Sequence, residues 1–346
     1  MQNREFLQLA EVFDKKYRIG GWFLSEKLDG MRAIWDGGIS RGLNVEQVPF
    51  CNLEKSGHGK IATGLWSRYG HPIFAPDYFL DALPNFAVDG ELWWDRNKFQ
   101  ATMSTVKDHV PGPNWKYHSF QVFDAVPLNV LFKPGKINNP NYKMIMADYH
   151  CNWAVERLRA VKGRIVIERP FETQYEFLKM YLKQNEFCKL LPQEKLPYNQ
   201  LSALDLVYKE LAKVKELGAE GLILRNNQTY WIPKRHRDLL KVKERLDAEA
   251  TVVGYNAAEL GKIHGKIGSL ICRFGETVFN LSGLTDEERE FANSDSTLWA
   301  ISNPGATAPE WVKSKHFPRG KVITFTYSEL TIDGVPHKAA FKRDYQ

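Results

Sequence analysis

The run Lys27-Leu28-Asp29-Gly30-Met31-Arg32, of the form K-x-D-G-x-R, is where this chain concentrates reactive chemistry. An amine attacks only when it is uncharged, and a free lysine is protonated near neutral pH. Neighbouring cations lower its pKa, so a lysine placed among basic groups becomes a usable nucleophile. Taken alone, the run reads equally well as an ordinary turn, because Asp-Gly is turn chemistry. Further stretches follow it in order: Ser40-Arg41, Val88-Asp89-Gly90-Glu91-Leu92, Phe120-Gln121-Val122-Phe123-Asp124, Glu220-Gly221-Leu222-Ile223-Leu224-Arg225 and Leu239-Leu240-Lys241-Val242-Lys243. Glu91 and Glu220 supply hard oxygen donors, which suit Mg²⁺, an ion that keeps several waters and bridges phosphate oxygens. Singly, each glutamate also reads as a surface carboxylate beside a glycine turn, and Phe123 as a core phenylalanine.

As an ordered set, these stretches resemble the motifs of the covalent nucleotidyltransferases, the family of DNA ligases, RNA ligases and mRNA capping enzymes. The resemblance extends over residues 20–345. It implies that Lys27 attacks the α-phosphorus of a nucleotide and carries the nucleotidyl group as a phosphoramidate. It implies that Asp29 orients the lysine or assists a metal. Arg32, Arg41, Lys241 and Lys243 would gather near Lys27, lower its pKa and hold the triphosphate. Arg32, Arg41 and Arg225 would contact ribose and phosphates, and Phe123 would stack on the base. Glu91 would contact ribose or metal and Glu220 would support the metal, so both are expected metal carboxylates.

Two positions depart from the family pattern. DNA ligases contact adenine through a side chain two positions before the lysine; here that position is Ser25, followed by Glu26. A small hydroxyl can still bond the base. Ligases also end in an R-x-D-K element that orients the leaving pyrophosphate. The tail Phe341-Lys342-Arg343-Asp344-Tyr345-Gln346 offers Arg343 and Asp344 at another spacing and without the final lysine, with Lys342 as the alternative to Arg343.

Within the family, three features favour a DNA ligase: Glu220 stands where capping enzymes usually carry Asp, no phosphatase or methyltransferase module is present, and the C-terminal strands resemble those of short ligases. Only 26 residues precede Lys27. That length leaves no room for a large N-terminal DNA-binding domain or for the domain with which bacterial enzymes use NAD, so ATP is the expected cofactor, with Mg²⁺. The layout resembles the minimal ligases of viruses, phages and some bacteria. The expected function is ATP-dependent sealing of 5′-phosphate/3′-hydroxyl nicks in double-stranded DNA through lysyl-AMP. The alternatives are an RNA ligase, a GTP-dependent capping guanylyltransferase, or a non-enzymatic nucleic-acid binder, the last disfavoured by the intact set of reactive residues.

Length and composition agree. A chain of 346 residues suggests two domains, and 43% hydrophobic residues suffice for substantial cores. Cys51, Cys151, Cys188 and Cys272 lie far apart with no C-x-x-C spacing, which suits a reducing compartment without disulfides or structural zinc. No signal peptide opens the chain and no apolar run reaches membrane-spanning length, so a soluble, intracellular monomer is expected. Residues 1–246 carry 36 Lys and Arg against 28 Asp and Glu, a net of +8, whereas residues 247–346 carry 11 against 13, a net of −2. The basic excess lies with the motifs, as phosphate attraction would require.

The elements that must position these residues are legible in outline. Strands are expected at 21–24, at 32–35, as a pair flanking the D-G-E motif (86–88 and 91–94), and at 119–126. Helices are expected over 153–161, 171–184 and, most clearly, 202–217, with Ser202 as cap and Gly218 as stop. The segment from Tyr230 to Arg237 reads as a loop that either contacts DNA or is simply solvated. After Asp247, short strands at 250–255, 269–274, 277–281 and 322–327 suit a small Greek-key barrel. Residues 291–318 read as an inserted loop and 261–266 as a basic turn. The expected fold class is α+β: an adenylation domain of antiparallel sheets with helices over 1–244, then an OB-fold barrel over 245–346.

Overall fold

The computed structural model describes residues 7–56, 58–131, 153–166, 168–243, 246–259, 261–327, 329–331, 333–337 and 339–342. The chain divides into two compact units, Met1–Lys243 and Glu244–Gln346. Residues 132–152, where a loop was expected to begin, lie outside the described residues, as does Arg343.

The first unit contains strands β1 (Leu9–Val12), β2 (Phe23–Glu26), β3 (Met31–Asp36), β4 (Leu65–Ser67), β5 (Ala87–Trp93), β6 (Ser119–Ala125), β7 (Cys188–Leu190), β8 (Glu194–Lys195), β9 (Leu222–Arg225) and β10 (Arg235–Val242). They form two five-stranded sheets, ordered β1-β10-β9-β2-β8 and β4-β3-β5-β6-β7. Pairing is antiparallel apart from β1 with β10 and β6 with β7.

Side-chain alternation decides what the first sheet does. Leu24, Leu222, Leu224, Leu240 and Val242 point to one face and form a core with Ala203, Val207 and Val214 of the helix Gln200–Glu216. Their neighbours Ser25, Ile223, Arg225, Leu239 and Lys241 point to the other face, where they line a cavity. The helix begins earlier than expected. Asn199 is its cap, accepting from the Ser202 N–H at 3.1 Å, so Ser202 sits inside the first turn; Gly218, at φ +75°, ends it as anticipated.

The D-G-E motif does not separate two strands. It lies within the single strand β5, and Gly90 serves close strand approach: a Cβ there would fall 2.7 Å from the Gln121 carbonyl oxygen and 2.8 Å from the Phe120 ring. A second core under this sheet gathers Trp35, Phe79, Trp115 and Phe120 with Phe171, Tyr175 and Leu178 of the helix Phe171–Tyr181.

In the second unit, β11 (Leu246–Ala257), β12 (Ile267–Phe274), β13 (Thr277–Leu281) and β14 (Val322–Tyr327) are followed by the short pair β15 (Glu329–Leu330) and β16 (Pro336–His337), then β17 (Ala340–Phe341). The main sheet is ordered β13-β12-β11-β14-β17. A bridge from Ala340 to Ser282, with the Phe341 N–H donating to the Ser282 carbonyl at 2.9 Å, ties its last strand back to the end of β13 and closes the barrel. Val252, Ile267, Leu270, Cys272 and Phe325 fill the interior.

Residues 291–318 are more ordered than a loop. They carry the helix Ser294–Ser302, capped by Asn293, and bury Ala300, Val312 and Phe317 in the barrel core. The Arg319 guanidinium pins the return path by donating to the Ala308, Pro309, Glu310 and Val312 carbonyls.

Candidate active site

Lys27 leaves β2 in a fixed position because its N–H donates to the Gly221 carbonyl at 2.8 Å. Gly221 has φ +149° and lies so close to β10 that a Cβ would sit 2.3 Å from the Val242 carbonyl oxygen. This approach places the Glu220 carboxylate between two amines, ion-paired to both Lys27 and Lys243. Burial is the main force lowering the Lys27 pKa; Glu91 and Asp29 oppose it, while Arg32 and Arg68 add to it. The sequence led us to expect neighbouring cations as the chief cause. They contribute, but dehydration leads, and Arg68 acts where Arg41 was expected.

Arg41 is not brought to this site. Its guanidinium is held by Asp77 and Asp81 at 2.7 and 2.6 Å, and it lines a separate groove with Lys60, Phe74 and His109.

Opposite Lys27, the second sheet supplies a braced aromatic ring. Arg32 donates twice to Asp89, at 2.8 and 2.7 Å, and the buried Trp231 indole donates to the same carboxylate at 3.0 Å. Arg32 stands over the Phe123 ring, 4.8 Å from its centre, and Arg225 approaches the same ring at 5.6 Å. Arg225 is buried and ion-paired to Asp124. Burial raises Asp124 to about 7 against the pull of Arg225.

Phe123 is the residue left over at a β-bulge: Asp89 pairs with Asp124 and Gly90 with Val122, so the ring is re-aimed out of the ladder. Its carbonyl accepts instead from the Gln193 side-chain amide at 2.7 Å. Glu91, paired across the strands with Arg32, is raised to about 7 by burial, although Lys27 and Arg32 pull it down.

These groups line one cavity of about 210 Å³. Of the residues expected from sequence, Ser25, Glu26, Lys27 and Arg32 line it together with Glu91, Phe123, Arg225 and Lys241. Glu220 and Lys243 reach it through Lys27, and Asp29 lies within electrostatic reach of the amine. Glu26 is committed to Arg96, which donates to its two oxygens at 3.2 and 2.7 Å. The sequence reading missed Arg68, Gln193, Arg235 and Trp231, single residues with no motif spacing to announce them. Trp231 and Arg235 were met only as part of a loop; Arg235 opens β10, and Trp231 is buried against Asp89.

Among the described residues, no three or more His, Cys, Asp and Glu side chains are gathered as a metal cage. Mg²⁺ does not require one, since one or two carboxylates with waters and substrate phosphates hold it. Glu91 offers a carboxylate in the cavity for such an ion, whereas both Glu220 oxygens are ion-paired to amines, so Glu220 would bind it by releasing Lys27 or Lys243.

Residues 260–344 match the family model described as the DNA ligase OB-like domain. Over 327 residues the chain is 27% identical to a curated DNA ligase of Haemophilus influenzae, covering 94% of this chain and 87% of that protein. A solved structure of a Lig E DNA ligase, described as binding DNA with a minimal scaffold, is 25% identical with a TM-score of 0.62, covering 97% of this chain and 98% of that one. Over nearly its whole length this chain is similar to DNA ligases. A second solved structure, named Pmar-Lig, shares the fold at 16% identity with a TM-score of 0.58, covering 98% of this chain and 67% of that one. The α+β fold of this chain, with its OB-like barrel, is the one the sequence led us to expect. Among its described residues no helix is long and apolar enough to cross a membrane.

Proposed function

We propose that the chain seals nicks in duplex DNA at the expense of ATP, acting as an intracellular monomer, with residues 1–243 as the adenylating unit. The observation that carries this reading is a half-buried lysine held by Glu220 in the same cavity as a bulged aromatic ring flanked by Arg32 and Arg225.

In the first step the Lys27 amine, in its neutral form, attacks the α-phosphorus of ATP. A phosphorus–nitrogen bond forms, the bond to the bridging oxygen breaks, and pyrophosphate leaves. The 5′-phosphate of the nick then displaces the lysine and takes the AMP. Finally the 3′-hydroxyl attacks that phosphate, forming the phosphodiester and releasing AMP.

Glu220 aims the amine, Lys243 neutralises Glu220, and Asp29 assists in orienting Lys27. Arg32, Arg68 and Lys241 offset charge on the triphosphate, and Arg225 fixes the wall behind Phe123, the ring on which the base stacks. Glu91 and Glu220 would hold Mg²⁺, which would supply further charge neutralisation on the phosphates. Lys342 is ion-paired to Asp247, which leaves Arg343 as the proposed partner of the leaving pyrophosphate.

The test is covalent labelling with α-³²P ATP, GTP and NAD in parallel, with Mg²⁺ and a Lys27→Ala control, followed by sealing of a nicked duplex. We expect label from ATP alone, lost in the variant, and sealed product. Label from GTP alone would point to capping chemistry. A Lys27→Ala protein that still seals nicks would sink the mechanism.

A further inference from the structure

We propose that the side-chain oxygen of Gln193 reads the 6-amino group of adenine and so makes the site prefer ATP. The assignment rests on the ATP-dependent reading above and adds a residue that no motif supplies.

The orientation of the amide carries the argument. A glutamine side chain has a donating NH₂ end and an accepting oxygen end, and which is which follows from its partners. The Phe123 carbonyl can only accept, and it lies 2.7 Å from Nε2, so the NH₂ end must face it. The oxygen is therefore turned the other way. Among the described residues no donor reaches it.

The carbonyl that fixes this orientation belongs to the bulged residue of β6, whose place in the ladder is empty, so the bond meets a real need of the backbone. The main chain of Gln193 is anchored as well, its N–H donating to the hydroxyl of the buried Tyr175 at 2.8 Å. Gln193 thus lines the nucleotide cavity as a rigid acceptor attached to the ring on which the base is expected to stack.

The other candidates discriminate less. The Ser25 hydroxyl both donates and accepts, so it suits either purine. The Glu26 carboxylate is already engaged by Arg96. Adenine presents an N–H donor at position 6, whereas guanine presents a carbonyl. A fixed acceptor bonds the first and faces the second oxygen to oxygen.

The experiment compares initial rates of covalent labelling of the full chain by α-³²P ATP, GTP and purine riboside triphosphate, which carries hydrogen at position 6. Loss of one neutral hydrogen bond predicts that the wild type uses ATP about threefold to tenfold better than purine riboside triphosphate. In Gln193→Met, which keeps the length and removes the acceptor, that ratio falls to about one. A merely structural role would lower all the rates together and leave the ratio intact; that result would overturn the proposal. Equal use of ATP and purine riboside triphosphate by the wild type would overturn it without any variant, so a Gln193→Met protein that does not fold leaves the question decidable. A wild type that takes no label from any of the three would instead overturn the nucleotide reading itself, and this assignment with it.

Discussion

Lys27 is held by a carboxylate while burial and two guanidiniums push its proton off. Labelling should therefore rise with pH and level off below the ordinary lysine range. Arg68 lowers the Lys27 pKa, so removing its charge restores proton affinity. In Arg68→Met the single-turnover pH profile should move to higher pH; an unmoved profile would mean that Arg68 acts on phosphates only. Trp231→Phe removes a donor from Asp89, the carboxylate that braces Arg32. It should cost about 1–2 kcal/mol of stability in urea titration, and a value near zero would count against the brace.

At this scale motif order singled out Lys27, Arg32, Glu91, Phe123 and Glu220, and the fold brings them together around Lys27. The sequence did not reveal Arg68 or Gln193, whose roles come from where a strand ends and which carbonyl a bulge leaves open. Nor could it foresee Arg41, captured by Asp77 and Asp81, which stand one helical turn apart and far from it in sequence.

Among elements, the close contact between the E-G turn and β10 leaves no room for a side chain. In Gly221→Ala the new methyl meets backbone, which cannot swing away as a side chain would, at a φ that alanine rarely adopts. A loss of about 2 kcal/mol or more is expected, together with slower labelling as the Lys27 N–H loses its register. A variant as stable and as fast as wild type would contradict the packing described.

The buried Asp36, hydrogen-bonded to Ser40 and Trp66, makes stability depend on pH. Burial raises it from 3.8 to about 6, so the folded state binds the extra proton across that window. This contribution is fully present below about pH 4 and is lost as pH rises through 6, a change of about 3 kcal/mol. Asp36→Asn should flatten that part of the stability–pH curve, measured by urea unfolding at several pH values.

Strands and the long helix were legible from periodicity. The single strand through D-G-E was not, because Gly90 looks like a turn residue until its neighbour's carbonyl is seen beside it. The helix Ser294–Ser302 was hidden because a polar, Asn- and Ser-rich composition resembles a loop, while its order comes from tertiary burial of Ala300 and Phe317.

For the molecule as a whole, charge is unevenly divided, with a net of +8 over residues 1–246 and −2 over the rest. If the basic excess meets DNA phosphates, the binding constant for nicked duplex should fall steeply with salt, log K against log salt giving a straight line of negative slope. A flat line, measured by fluorescence anisotropy, would remove phosphate contact from the account. A change of texture is visible in the sequence after residue 247, and the structure divides into two compact units at residues 243 and 244; which surfaces would meet a duplex is not legible, because that depends on faces and not on spacing.

The parallel pairing of β1 with β10 sets Leu9 beside Arg235 and Val12 beside Lys241. On a ribosome the first of these strands emerges long before the second exists, and it must wait through nearly the whole synthesis of the unit. Contacts so distant in sequence slow folding. The sheet that aligns Lys27 with Glu220 is therefore among the last to close, and a half-made chain has a nucleophile without its partner. If Lys27 takes AMP as proposed, a nascent chain should leave cellular ATP untouched until β10 has cleared the exit tunnel.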